Sequence, residues 1–143
     1  MAEGLRAQFL SRLQVEQQED GCTWAVLGPL RYVSPIHGSL ITVPAGFVTD
    51  FASVPRLPFA YWLAGNTAHA PAVVHDYLYQ TQITKDRGLA DAIFLEAMAV
   101  EGDPWWRRRL MWSAVRAVGQ APWRTGPTRY RILGNDTSKA ASD

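Results

Sequence analysis

The sequence predicts an α+β fold, in which a small antiparallel β-hairpin or meander precedes a core of three helices. Residues 23–43 contain short runs of β-branched and aromatic residues separated by proline and glycine, which is typical of strands and tight turns. Beyond residue 67, three longer segments have apolar residues at the spacing of a helix face. The 143 residues, 48% hydrophobic and 19% charged, are typical of one globular domain.

The chain divides into an opening segment, one domain and a tail. Residues 1–20 are polar and rich in glutamine, and their apolar residues predict one or two amphipathic helical turns. These apolar residues are Leu5, Phe9, Leu10 and Leu13. Residues 21–133 contain no internal repeat and no linker, so we expect a single α+β domain there. Residues 134–143 are small and polar, and this tail is predicted to be disordered.

Three short runs make up the predicted β region, at residues 24–27, 30–33 and 39–43. Gly28-Pro29 separates the first two runs, and a turn that contains proline and glycine separates the last two. This punctuation predicts a meander. The residues that follow, 44–55, are rich in turn formers and are predicted to be irregular.

Three amphipathic helices are predicted after the β region, at residues 68–82, 87–101 and 104–119. The second and third of these segments end at glycines, Gly102 and Gly119. Glycine is common just past the end of a helix because it readily adopts the left-handed conformation.

The starts of the second and third helices carry residues that favour capping. Thr84 or Asp86 is placed to cap the second helix. For the third, Asp103 is the predicted cap and Pro104 occupies the first helical position, where a missing N–H costs nothing.

The composition limits the classes of function. With 14 basic and 13 acidic residues the net charge is +1, so overall charge favours neither a nucleic-acid nor a membrane partner. Cys22 is the single cysteine, so no intrachain disulfide is possible, which suits a reducing compartment or a protein that needs no disulfide. The first residues lack the apolar run of a signal peptide, and no run of 18 apolar residues is present, so we expect neither signal-directed secretion nor a transmembrane helix.

A histidine and an aspartate occupy apolar faces of the first two predicted helices. On a helical wheel His75 lies in the middle of the apolar arc, Tyr79 shares its face, and Asp76 lies at the edge. Asp91 on the second helix is flanked by Phe94, Leu95, Met98 and Ala99. If the helices are antiparallel, His75 and Asp91 lie within about 3 Å of the same level. Since a buried carboxylate needs a partner, we expect His75 to bond Asp91, with the Tyr79 hydroxyl as a second donor.

This arrangement has two interpretations. In the catalytic one, Asp91 fixes the tautomer of His75 so that the other ring nitrogen can take a proton from water, while Asp76 holds a hard cation that polarises an acyl oxygen. In the structural one, His75, Asp91 and Tyr79 form a satisfied buried network that only fixes the packing of the helices.

Three ordered motifs resemble the signature blocks of a family of uncharacterised proteins carried mainly by tailed phages and prophages. The motifs are TDFASVPR at residues 49–56, HDYLY at residues 75–79 and ADAIF at residues 90–94. The similarity extends over roughly residues 40–119. It implies a phage-encoded protein in a family whose function is not settled.

The His-Asp-x-x-Tyr motif, followed by an aspartate on the next helix, also resembles the catalytic helices of phospholipase A2. The resemblance implies a phospholipase A2-like helical core, with His75 as the base, Asp76 as a calcium ligand, and Asp91 with Tyr79 as the orienting pair. No glycine-rich calcium loop is recognisable before the motif, and Asp50 would give a carboxylate in place of the carbonyl ligands of that loop.

The third predicted helix interleaves tryptophan and arginine on one face. This face comprises Trp105, Arg108, Arg109, Trp112 and Arg116. The opposite, apolar face comprises Trp106, Leu110, Met111, Ala114, Val115, Ala117 and Val118. Tryptophan with arginine suits an anionic surface, either lipid headgroups or a phosphate backbone, and it equally suits cation–π packing beneath another segment of the chain.

Two hypotheses follow for the function. The first is a phage-encoded, calcium-assisted ester hydrolase with phospholipase A2-like chemistry. The second is a non-catalytic phage virion or tail-assembly protein that uses the same residues to hold two helices together. Phage structural proteins or membrane lipid are the expected partners, with no strong signal for nucleic acid, and the expected location is the cytoplasm of a bacterial host or the virion.

Overall fold

The computed structural model describes residues 4–21, 23–49 and 69–124, which form six strands followed by four helices. The strands are β1 (Gln8–Phe9), β2 (Val15–Gln17), β3 (Trp24–Val26), β4 (Leu30–Ser34), β5 (Ser39–Val43) and β6 (Val48–Thr49). The helices are α1 (His69–Thr81), α2 (Arg87–Val100), α3 (Trp105–Val118) and α4 (Gln120–Arg124). The predicted α+β fold is confirmed, with α4 as a short addition.

The strands form two antiparallel sheets of three strands each, with the orders β1-β4-β5 and β2-β3-β6. In β4, the side chains of Leu30 and Tyr32 are buried while Arg31 between them is exposed, as the two-residue repeat of a strand requires. Tyr32 lies opposite Ile41 of β5, so the same faces of both strands contribute to the core.

The helical turns predicted near the N-terminus are wrong. Of the four apolar residues, Phe9 lies in β1, whereas Leu5, Leu10 and Leu13 lie in neither a helix nor a strand. Phe9 lies opposite Tyr32, with the ring centroids 4.6 Å apart. The Leu10 N–H donates to the Arg31 carbonyl at 2.9 Å. An isolated stretch this short makes at best a marginal helix, so pairing with the edge of β4 and stacking on Tyr32 outweigh its apolar spacing. The predicted division at residue 20 stays a prediction, and residues 134–143 lie outside the described ranges.

The structure also alters the segment that was predicted to be irregular after residue 43. Val48 and Thr49 form β6, which pairs with β3, and both residues are buried. The rest of that segment, from residue 50 onward, lies outside the described residues. Through β6 the second sheet reaches Thr49, whose hydroxyl donates a hydrogen bond to Asp76 of α1.

The helix boundaries agree closely with the predicted ones. Asp86 caps α2 by accepting the Gly88 N–H at 2.9 Å, which decides between the two candidate caps. Gly102, with φ at +86°, takes the left-handed conformation past the end of α2. The Asp103 N–H donates back to the Met98 carbonyl at 3.1 Å, which closes the helix as a Schellman motif does.

The predicted cap of the third helix is wrong. Pro104, not Asp103, occupies the N-cap position of α3, and the Pro104 side chain forms no capping hydrogen bond. The Asp103 carboxylate is buried and lies 3.7 Å from the guanidinium of Arg107 one turn later. The backbone N–H of Asp103 closes α2, so the residue serves the preceding helix and an ion pair.

Helix α1 is the centre of the domain, since it packs against β4, β5, β6, α2 and α4. Most of its side chains are buried, including those of the polar residues His75 and Asp76. Helix α3 packs on α2 through Met111 and Val115, which are buried in the same core. Among the helices of the described ranges, none combines the length and apolar character that crossing a bilayer needs.

Candidate functional site

The hairpin of α1 and α2 brings His75 and Asp91 together. The connecting turn contains two residues with left-handed backbone, Gln82 and Lys85, which lets the chain reverse within a few residues. The His75 Nε2 and Asp91 Oδ1 atoms are 2.8 Å apart, and both side chains are fully buried. The predicted hydrogen bond between these two residues is confirmed.

Asp91 accepts hydrogen bonds from two further side chains. The Tyr79 hydroxyl donates to Oδ1 at 2.6 Å, as predicted. The Arg116 guanidinium, which reaches over from α3, donates to Oδ2 at 3.1 Å. Arg116 was predicted to belong to the surface of the third helix, whereas the structure places it between solvent and the buried carboxylate, with 38% of its side chain exposed.

Burial and hydrogen bonds set the charges of this cluster. Burial alone would raise the pKa of Asp91, but the bonds from His75, Tyr79 and Arg116 outweigh it and hold that pKa below its usual value. Burial lowers the pKa of His75 below 6.5, although the neighbouring Asp91 opposes the shift. Burial also raises the pKa of Tyr79, so its hydroxyl keeps its proton and remains a donor. At neutral pH the site therefore pairs an aspartate anion with a neutral imidazole.

Because the His75 imidazole is neutral, only one of its two ring nitrogens carries a proton, and the hydrogen bond to Asp91 determines which one. Nε2 faces a carboxylate that can only accept, so Nε2 carries the proton and Nδ1 carries a free lone pair. Nδ1 is buried, and within the described parts of the chain no group forms a hydrogen bond with it. The ring is held between Tyr79 and Phe94, with centroid distances of 4.3 and 4.6 Å. Asp91 and the two aromatic rings thus fix the orientation of a neutral, fully buried imidazole.

The junction of α3 and α4 packs over Tyr79, a contact that was not predicted from the sequence. Arg87 donates to the carbonyls of Val115 and Arg116, at 3.2 and 2.9 Å, and thereby ties the start of α2 to the last turn of α3. The Trp123 ring meets Tyr79 edge-on at 5.2 Å. The only sequence signal for this junction was the glycine at residue 119.

Gly119→Ala is expected to lower the free energy of unfolding by about 1–3 kcal/mol, the usual cost of overpacking a filled site. A Cβ at Gly119 would lie 2.5 Å from the Tyr79 hydroxyl and 3.0 Å from Arg87 Nη1, and it would also contact the Val115 carbonyl. The residue has φ at −73°, so the cost is steric rather than conformational. Urea denaturation would measure the loss.

Two matched variants test the steric origin of this cost. Gly28→Ala, where an added Cβ meets nothing within 4 Å, should leave the midpoint of unfolding nearly unchanged. In a Tyr79→Phe background the cost of Gly119→Ala should shrink, because one of the contacting atoms is gone. A full cost in that background would mean that the hydroxyl does not limit the space.

Asp76 lies on α1 next to the histidine, and only 3% of its surface is exposed. Its Oδ2 accepts hydrogen bonds from the Gln80 amide at 3.0 Å and from the Thr49 hydroxyl of β6. Among the described residues no group of three or more histidine, cysteine, aspartate or glutamate side chains could hold a metal ion. Asp50, the other predicted calcium ligand, lies outside the described residues.

The packing of α3 leaves part of the predicted tryptophan–arginine face exposed and buries part of it. Trp105 is 70% exposed and Arg109 is exposed, whereas Arg108 and Trp112 are partly buried. Together these four residues line a groove with Ala92 and Leu95 of α2. The opposite, apolar face is divided as well: it buries Met111 and Val115 but exposes Trp106, Leu110 and Ala117.

Comparison with known proteins gives one match. Residues 24–115 match the profile of a family described as "Protein of unknown function (DUF1353)". No curated protein and no solved structure matches the chain. The match includes all three ordered motifs and confirms the resemblance to an uncharacterised family. Since it spans well over half of the sequence, the chain belongs to this family of unknown function, DUF1353.

Proposed function

We propose that the protein is an ester hydrolase, encoded by a phage or prophage, in which Nδ1 of His75 is the general base. One observation carries the proposal. Nδ1 is the basic nitrogen of a neutral imidazole and has no hydrogen-bond partner in the described ranges, while Nε2 is bonded to Asp91. The phage origin rests on the resemblance of the three sequence motifs.

In the proposed reaction, Nδ1 takes a proton from a water molecule as the water oxygen attacks the acyl carbon of the ester. The imidazolium then returns the proton to the leaving alkoxide, so the base is regenerated. Asp91 stays ionised because its pKa is low, and it compensates the positive charge that develops on His75. Tyr79 and Arg116 act as positioning residues, since they hold both oxygens of Asp91 in place.

The proposed cation is Ca²⁺, with the carboxylates of Asp76 and Asp50 as ligands. When bound, it would polarise the acyl oxygen of the substrate. This part is supported by the position of Asp76 directly after His75 and by its burial. The Asp76 Oδ2 already accepts two hydrogen bonds, and Ca²⁺ takes about six to eight oxygen ligands, so one described carboxylate is an incomplete donor set. The general-base proposal therefore does not depend on the metal, which is tested separately.

The pH profile of the wild-type protein tests this function. A protonated imidazole cannot accept a proton, so kcat/KM should fall as the pH decreases through the pKa of His75, which lies below the usual 6.5. The activity should therefore fall to half of its neutral-pH value only in buffer more acidic than pH 6.5. The assay would use p-nitrophenyl esters of short and medium acyl chains and dispersed phosphatidylcholine, each in Ca²⁺ and in excess chelator.

The outcomes separate the parts of the proposal. Equal rates in Ca²⁺ and in chelator would rule out a role for the cation and leave the general-base proposal unaffected. If no ester is hydrolysed faster than in buffer, or if the midpoint of the acidic decline lies above pH 6.5, His75 is not the base and the hydrolase proposal fails.

A second candidate is a non-catalytic phage virion or assembly protein. It is favoured by the complete burial of both His75 and Asp91, which a network that only holds two helices together requires. In that case, replacing His75 would change the stability of the fold and leave no enzymatic activity to lose.

A further inference from the structure

Helix α3 presents apolar and cationic side chains to solvent without any acidic residue. Its sequence contains four arginines and neither aspartate nor glutamate. On its outer surface Trp105 is 70% exposed, Leu110 54% and Trp106 47%. Exposed tryptophans are costly in water, and these three large apolar side chains are exposed within two successive turns of α3.

Two of the four arginines have no anionic partner within the described ranges. Arg107 pairs with Asp103 and lies 5.5 Å from the centre of the Trp106 ring, and Arg116 pairs with Asp91. Arg108 and Arg109 form no ion pair with any carboxylate of the described residues, and the Nε of Arg108 is buried without a hydrogen-bond partner there. These two cations are adjacent to the exposed tryptophans.

We propose that this surface, formed by Trp105, Trp106, Arg108, Arg109 and Leu110, binds the headgroup region of an anionic lipid bilayer. Indole rings favour the interface between water and acyl chains, and arginines favour anionic headgroups. The exposed residues of this surface lie in the first two turns of α3, so these turns can approach a bilayer. This inference does not depend on the hydrolase proposal, because adsorption requires no catalysis.

The composition of the patch favours lipid over the other anionic partners. A phosphate backbone would be matched by a more basic surface, whereas here the protein as a whole has a net charge of +1 and Leu110 has no ring to stack on a base. A leucine and two tryptophans, beside two arginines that form no ion pair with the described residues, are the composition of a helix that lies in a membrane interface.

The test is co-sedimentation of the full chain with vesicles. Vesicles of phosphatidylcholine containing roughly 30% phosphatidylglycerol should bind the protein at low salt, whereas pure phosphatidylcholine should bind it much more weakly. Arg108→Gln/Arg109→Gln should weaken binding to the anionic vesicles by roughly 30-fold, since each basic residue near such a surface contributes about 1 kcal/mol. The matched control, Arg12→Gln/Arg31→Gln, removes two exposed charges from the β region and should bind as the wild type does.

A second measurement reports on the tryptophans directly. Lipids brominated in their acyl chains should quench the fluorescence of the wild type more than that of Trp105→Ala/Trp106→Ala, and circular dichroism would verify that each variant is folded. Equal binding of both arginine double variants would show that the attraction is not located on α3, and the proposal would fail. The proposal would also fail if the wild type did not bind anionic vesicles at low salt. It would fail as well if this surface bound a single-stranded oligonucleotide or a second copy of the chain rather than the vesicles.

Discussion

Replacing His75 with glutamine is expected to lower kcat by about 10²–10⁴-fold on any ester that the protein hydrolyses, because loss of a positioned general base typically costs that much. Glutamine keeps much of the volume and can still donate to Asp91, but it cannot take a proton from water. The loss should appear in kcat and kcat/KM together, since the base acts in the transition state. Steady-state assays of purified protein would measure it.

The control for this experiment is His37→Gln, which makes the same chemical change in the turn between β4 and β5. That variant should keep the wild-type rate. The urea midpoint of each variant would show whether it is folded at the assay temperature. A folded His75→Gln protein with wild-type turnover would rule out the proposed base and favour the structural network.

Replacing Asp91 with alanine is expected to lower the free energy of unfolding by about 2–6 kcal/mol. The change removes the acceptor of three hydrogen bonds at once. His75 and Tyr79 would be left as buried donors without partners, each at a cost of about 1–3 kcal/mol, whereas the partly exposed Arg116 can turn to water. Equilibrium denaturation in urea would measure the loss.

Asp91→Asn is the matched variant. The amide keeps the size of the side chain and one acceptor oxygen, so it should cost clearly less than the alanine. It cannot accept from His75 and Arg116 on opposite sides without presenting its NH₂ group to one of these donors, so some cost remains. If the alanine costs less than about 1 kcal/mol, the cluster does not stabilise the fold and its burial needs another explanation.

The sequence was informative where the signals are local. The helix periodicity, the cap at Asp86 and the glycine after α2 placed the helices to within about two residues. A short turn between two antiparallel helices leaves little freedom for one helix to shift along its axis relative to the other. The pairing of His75 with Asp91 could therefore be predicted from the two apolar faces and the length of the turn.

The sequence was misleading where a residue has a choice of distant partners. Arg116 looked like a surface residue because its helix is rich in arginine, yet the packing of α3 on the hairpin brings it within 3.1 Å of Asp91. Phe9 has a helix-like spacing with its neighbours but pairs with Tyr32, which is remote in the sequence. Asp103 has the chemistry of a helix cap, and its burial at the end of α2 directs it to Arg107.

By itself, the sequence determined the α+β class, the extent of the helices and the pairing of His75 with Asp91. Each of these depends on periodicity, capping and one short turn, which act over a few residues. The tertiary structure alone decided that Arg116 completes the cluster, that the backbone at Gly119 closes over Tyr79, and that the N-terminal residues become strands. These contacts form between segments whose relative position is set by core packing, and no local pattern in the chain specifies it.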